Sequence, residues 1–112
     1  MKIYHNPRCR KSREAVKYLE DKKIDFEIIE YLKTQITESK MKNLIGKLDI
    51  NAIELVRRNE KVWKSNYKGK KMTEKKIVEI LCNEPKLIER PIIETETKAV
   101  IGRPKENIDK LI

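Results

Sequence analysis

The chain has 112 residues, a formal net charge of +9 and a pI near 9.6, with 40% of its residues charged. That length supports one hydrophobic core, so residues 1–112 are read as a single domain. It contains no apolar run long enough to cross a membrane and no secretory pattern at its start, which makes the cytoplasm the expected location. Two cysteines, Cys9 and Cys82, are too few and too far apart for a disulfide framework or a zinc cluster. The positive balance favours anionic partners, but the lysines alternate with acids, as in Glu20-Asp21-Lys22-Lys23 and Glu74-Lys75-Lys76. Such a pattern describes a solvated surface better than a nucleic-acid stripe.

In chain order, Ile3 and Tyr4 open a strand that stops at Pro7, which cannot extend a ladder and holds Asn6 away from helical geometry. Ala15, Val16 and Leu19 then recur at helical spacing, predicting a helix from about Arg10 to Lys22 with Cys9 at its start. Residues Asp25 to Tyr31 alternate as a second strand, which completes a βαβ unit. The turn carrying Cys9 therefore lies at the carboxyl edge of the sheet, where ligand sites of open α/β sheets gather. Thr37 is the expected N-cap of a helix with Met41, Leu44, Ile45 and Leu48 on its apolar face. A break at Asp49–Asn51 precedes a short helix over residues 52–59, and Ser65 to Gly69 read as a loop, with Trp63 packed nearby. Thr73 caps the next helix, which buries Ile77, Ile80 and Leu81, and Met72 is placed to staple against Ile77. Arg90–Thr95 and Lys98–Gly102 form a hairpin, and Pro104 suits the first turn of a final helix bearing Ile108, Leu111 and Ile112. The fold class is α/β, with a mixed four-stranded sheet flanked by helices.

Chemistry concentrates at Cys9. A thiol at a helix N-terminus among cations favours its thiolate, and Arg8, Arg10, Lys11, Arg13 and His5 all lie close in sequence. The same amides and charges suit an oxyanion. Structural cysteines sit in apolar surroundings; Cys9 does not. Cys82, near a helix C-terminus with few cations beside it, reads as structural.

Four segments together resemble the thioredoxin-fold arsenate reductases of the ArsC/Spx family, which draw on glutathione and glutaredoxin. They are His5-Asn6-Pro7-x-Cys9-x-x-Ser12-Arg13, Val56-Arg57-Arg58-Asn59, Ile88-Glu89-Arg90-Pro91-Ile92 and Gly102-Arg103-Pro104. The resemblance implies a thioredoxin-like domain spanning the chain, with Cys9 as nucleophile and Arg57, Arg90 and Arg103 binding substrate. It further implies that His5 and Ser12 help to keep Cys9 ionised, and that Arg90–Pro91 is a cis peptide bond. Arg58 is the alternative to Arg57, since two neighbours on one helix cannot both face a site.

The implied reaction reduces arsenate to arsenite through a Cys9 adduct, as in arsenical resistance. Glutathione is the reductant, glutaredoxin the partner, and neither metal nor bound organic cofactor takes part. Arginine suits arsenate because its planar fork holds two oxygens and stays charged. Position 12 is Ser, so no dithiol loop exists, and position 15 is Ala, so the Cys-x5-Arg cradle is absent. Two other readings stay open: a related thiol oxidoreductase acting on another substrate, and an Spx-like transcriptional regulator that binds RNA polymerase.

Overall fold

Apolar runs from the two ends of the chain build a single sheet. The computed structural model describes Met1–Ile112 and places β1 (Lys2–Tyr4), β2 (Glu27–Ile29), β3 (Ile92–Glu94) and β4 (Ala99–Ile101) in the order β2-β1-β3-β4. β1 pairs parallel with β2 and antiparallel with β3, which pairs antiparallel with β4. Each strand has three residues, shorter than the alternating runs suggest.

The chain divides into two compact units, residues 1–34 with 90–112 and residues 35–89. The first holds the sheet. Between the parallel strands runs α1 (Arg10–Asp21), whose Ala15 and Leu19 join Ile3, Ile93 and Ile108 in one buried cluster. Ile3 and Ile93 are register partners and so share that face. Strand periodicity puts Tyr4, Ile92 and Glu94 on the opposite face, where the Tyr4 hydroxyl donates to buried Glu94 at 2.8 Å. Burial, together with that carboxylate, pushes the Tyr4 phenol well above its ordinary range. The C-terminal element is a 3-10 helix, Lys105–Leu111, and Pro104 precedes it rather than sitting in its first turn. Asn107 Nδ2 donates to the carbonyl of Ile101 at 3.0 Å and so ties this helix to the end of β4.

The second unit contains α2 (Glu38–Leu48), α3 (Lys61–Asn66) and α4 (Glu74–Asn83). Thr37 and Thr73 cap α2 and α4 as expected, accepting from the amides of Lys40 and Lys76, each at 3.1 Å. Met41, Leu44 and Ile45 of α2 and Ile77, Ile80 and Leu81 of α4 are buried, and the two helices pack together.

The expected helix over 52–59 is instead a 3-10 turn, Ala52–Leu55, closed by an Asn51/Glu54 capping box. It stops there because Val56 turns extended and bridges Ile88, while the Arg57 amide donates to Leu87 at 2.7 Å and the Glu89 amide to Leu55 at 2.8 Å. The expected loop at Ser65 begins later, since burial of Trp63 carries α3 through Asn66. A short 3-10 turn at Pro85–Leu87 has no counterpart in the sequence reading.

Back in the first unit, Gly102 sits where a side chain has no room. A Cβ there would lie 2.5 Å from Ile93 Cδ1 and 3.2 Å from the Pro91 ring, and the Gly102 amide donates to the Pro91 carbonyl at 2.8 Å. Ile93 is wholly buried, so its methyl has little space to yield. Gly102→Ala is therefore expected to lower unfolding free energy by ~1–3 kcal/mol in urea titration, the usual cost of overpacking. A loss under about 0.5 kcal/mol would show that Ile93 repacks freely.

Candidate active site

The loop after β1 is held by hydrogen bonds that all follow from Asn6, Pro7 and Ser12. Asn6 accepts twice, its carbonyl from the Cys9 amide and its Oδ1 from the Arg8 amide, each at 3.0 Å. The carbonyl of Pro7 is held by Arg13 Nη1 at 3.0 Å. Ser12, fully buried one turn into α1, accepts from the Asn6 amide at 3.1 Å and meets His5 Nδ1 at 2.6 Å through the same Oγ. Cys9 occupies the N-cap position with extended backbone.

At an N-cap the side chain faces the first free amides of the helix. The neutral Cys9 thiol closes no capping hydrogen bond, yet the amides of Ser12 and Lys11 are placed to stabilise charge on its sulfur. Burial is the largest influence and pushes the thiol up. The Ser12 amide, the Arg90 guanidinium and the Lys11 amide together outweigh it, and Cys9 lies below the ordinary thiol value.

The cations sort themselves by partner. Arg10 and Lys11 share Glu14, at 3.4 and 3.5 Å, and Arg13 is engaged by Pro7. The cation that acts on Cys9 comes from the far end of the chain. Arg90 places its positive charge near the sulfur and favours the thiolate, and its own Nε is buried without any acceptor. Arg90–Pro91 is a cis peptide bond, as is Arg103–Pro104. Arg103, after β4, is exposed and makes no ion pair.

His5 meets the loop through the Ser12 hydroxyl. It is buried, and that burial, only partly opposed by Glu30 and reinforced by Arg13, lowers its pKa from the ordinary imidazole value. Its lowered pKa disfavours a charged ring beside that hydroxyl.

A model of the ArsC family matches residues 4–111. The chain belongs to the ArsC family. It is 37% identical to "Uncharacterized protein YfgD" of Escherichia coli K12, over 100% of this chain and 96% of that one. It is 34% identical to "Arsenate reductase" of Neisseria meningitidis serogroup A, over 100% and 97%. Among solved structures, "Arsenate reductase from Vibrio cholerae" superposes with a TM-score of 0.94 at 34% identity, covering 100% of this chain and 98% of that one. The fold is thus the thioredoxin-like α/β fold of ArsC proteins.

In this ArsC-family chain Arg57 belongs to the second unit, where its guanidinium pairs with Glu60. Arg58 is exposed and unpaired. The two are not on one helix, so helical rotation does not choose between them; the extended Val56 and the bond from the Arg57 amide to Leu87 set their directions. Cys82 is buried, and burial, aided by Glu38, pushes its thiol up. No three His, Cys, Asp or Glu side chains come together as metal ligands, and no helix is long and apolar enough to cross a membrane. Sequence reasoning missed the part played by Asn6, whose side chain and carbonyl together brace the loop; an Asn directly before Pro was the available signal.

Alkylation of Cys9 followed against pH should give a midpoint below that of a free thiol, and Arg90→Met should raise it. An unchanged midpoint in the variant would remove Arg90 as the activating cation. Linkage gives a second readout. Because the folded state holds Cys9 below its unfolded value, folding stability should rise with pH between those two values, and Cys9→Ser should abolish that rise.

Proposed function

We propose that this chain is a single-thiol arsenate reductase in which Cys9 attacks arsenate and external thiols supply the electrons. The observation that carries the reading is Arg90: its charge lowers the Cys9 thiol while its buried Nε lacks an acceptor. A buried donor left unpaired costs about 1–3 kcal/mol, and an oxyanion on Cys9 would supply what it lacks. Arsenate is anionic and would repel a thiolate, so a fixed guanidinium beside the sulfur lowers the barrier to attack. The arsenate reductase names of full-length relatives at 34% identity agree with this chemistry.

In the first step the Cys9 sulfur bonds to arsenic and one As–OH oxygen leaves as water, arsenic remaining pentavalent. A glutathione thiol displaces a second oxygen, also as water, so that arsenic bridges the two sulfurs. A glutaredoxin thiolate then attacks the glutathione sulfur. The S–As pair stays on arsenic, which becomes trivalent, and a glutaredoxin–glutathione disulfide departs. Water releases arsenite from Cys9. Ser12 has no thiol and its Oγ is already bound to His5 and Asn6, so no resolving group exists within the loop.

Within this reading Arg90 and the unpaired Arg103 bind the oxyanion, and Arg57 is the third cation that the family pattern assigns. His5 and Ser12 position the loop, and Pro91 holds the segment that presents Arg90. Dependence on reduced thiols suits the cytoplasm.

Arsenite formation from arsenate should require both glutathione and glutaredoxin, vanish in Cys9→Ser and survive in Cys82→Ser. Arg90→Ala should lower kcat/KM by ~100-fold or more, as removal of an electrostatic catalyst does. No arsenite from the wild-type chain with both reductants present would end the proposal.

A further inference from the structure

We infer that Arg8 is the docking cation for the carboxylates of the incoming thiol, which makes the outer face of the Cys9 loop a glutathione-binding subsite. This rests on the single-thiol reading, because only an external thiol has to find Cys9 from solution. Among the cations flanking the nucleophile, Arg10 and Lys11 are held by Glu14, and Arg13 by the Pro7 carbonyl. Arg8 alone is exposed with an unengaged guanidinium. It is also absent from the groups that set the Cys9 ionisation, which are Ser12, Arg90 and Lys11. Its charge is thus adjacent to the sulfur in sequence and unspent.

The backbone beneath it is fixed. The Arg8 amide is held by Asn6 Oδ1 and the Cys9 amide by the Asn6 carbonyl, with Pro7 restricted between them. Arg8 therefore leaves from a backbone held in place next to the partly buried Cys9. Glutathione carries two carboxylates and meets an adduct that is itself anionic, so its approach is repulsive without a cation at the entrance. A guanidinium fork binds a carboxylate bidentately and keeps its charge at every working pH.

The test compares reagents that differ in charge but not in chemistry, on the full chain carrying Cys82→Ser. Cys9 should react with anionic iodoacetate and with glutathione disulfide faster, relative to neutral iodoacetamide and hydroxyethyl disulfide, than it does in Arg8→Ala. In the disulfide reactions the Cys9 thiolate forms the new S–S bond and one thiolate leaves. The anionic-to-neutral ratio is expected to fall ~3- to 10-fold in Arg8→Ala, to fall further in Arg8→Glu and to persist in Arg8→Lys. The difference should shrink in about 0.5 M salt, while the pH midpoint of alkylation stays in place. In turnover, Arg8→Ala should raise the KM for glutathione and leave that for arsenate unchanged. An equal ratio in wild type and Arg8→Ala, or a shifted alkylation midpoint, overturns the docking role. Charge selectivity that depends on Arg8 in a chain giving no arsenite would sustain the subsite and refute the arsenate reading.

Discussion

Ser12 is the atom-scale hinge of the functional end of this molecule. Its hydroxyl is buried against His5 and the Asn6 amide, and its own amide stabilises charge on Cys9. One residue thereby closes the loop on the strand side, anchors the first turn of α1 and supplies the dipole that the sulfur needs. The loop can hold a thiolate only while this arrangement keeps Cys9 at the N-cap, since the N-terminal charge of a helix decays within one turn.

Net charge says little about how the site works. Of the basic residues around Cys9, two share a single glutamate, one is turned to a backbone carbonyl, and burial lowers the pKa of the histidine. The effective cation is Arg90, delivered by the segment before β3. Because that guanidinium is partly buried, its effect on sulfur is screened far less by salt than a surface lysine's would be. The two cysteines make the same point from opposite sides: burial raises both thiols, and only Cys9 has amides and an arginine to reverse it.

Membership of the ArsC family and the lowered thiol of Cys9 are what the proposed oxyanion chemistry rests on. Gly102 and Pro91 show how the scaffold serves that end. Their close approach, with the Gly102 amide on the Pro91 carbonyl, joins the ends of β3 and β4 and fixes the residue before Pro91, which is Arg90. Packing of the hairpin and placement of Arg90 are therefore one problem.

Much of this was legible in the residues themselves. Pro7 ends a strand, Ala15 and Leu19 mark a helix, and Thr37 and Thr73 announce caps, because each signal acts over a few bonds or one helical turn. A thiol at a strand-to-helix turn among arginines followed from the same local rules. Tertiary structure decided the rest. It ended the 52–55 turn early because Val56 finds a strand partner in Ile88, and it extended α3 because Trp63 needs burial. It also buried His5, which lowers its pKa, and brought Arg90 from the far end of the chain to Cys9. Conformational preference is a property of neighbours in the chain, whereas burial and charge pairing are properties of neighbours in space, and only folding determines which residues those are.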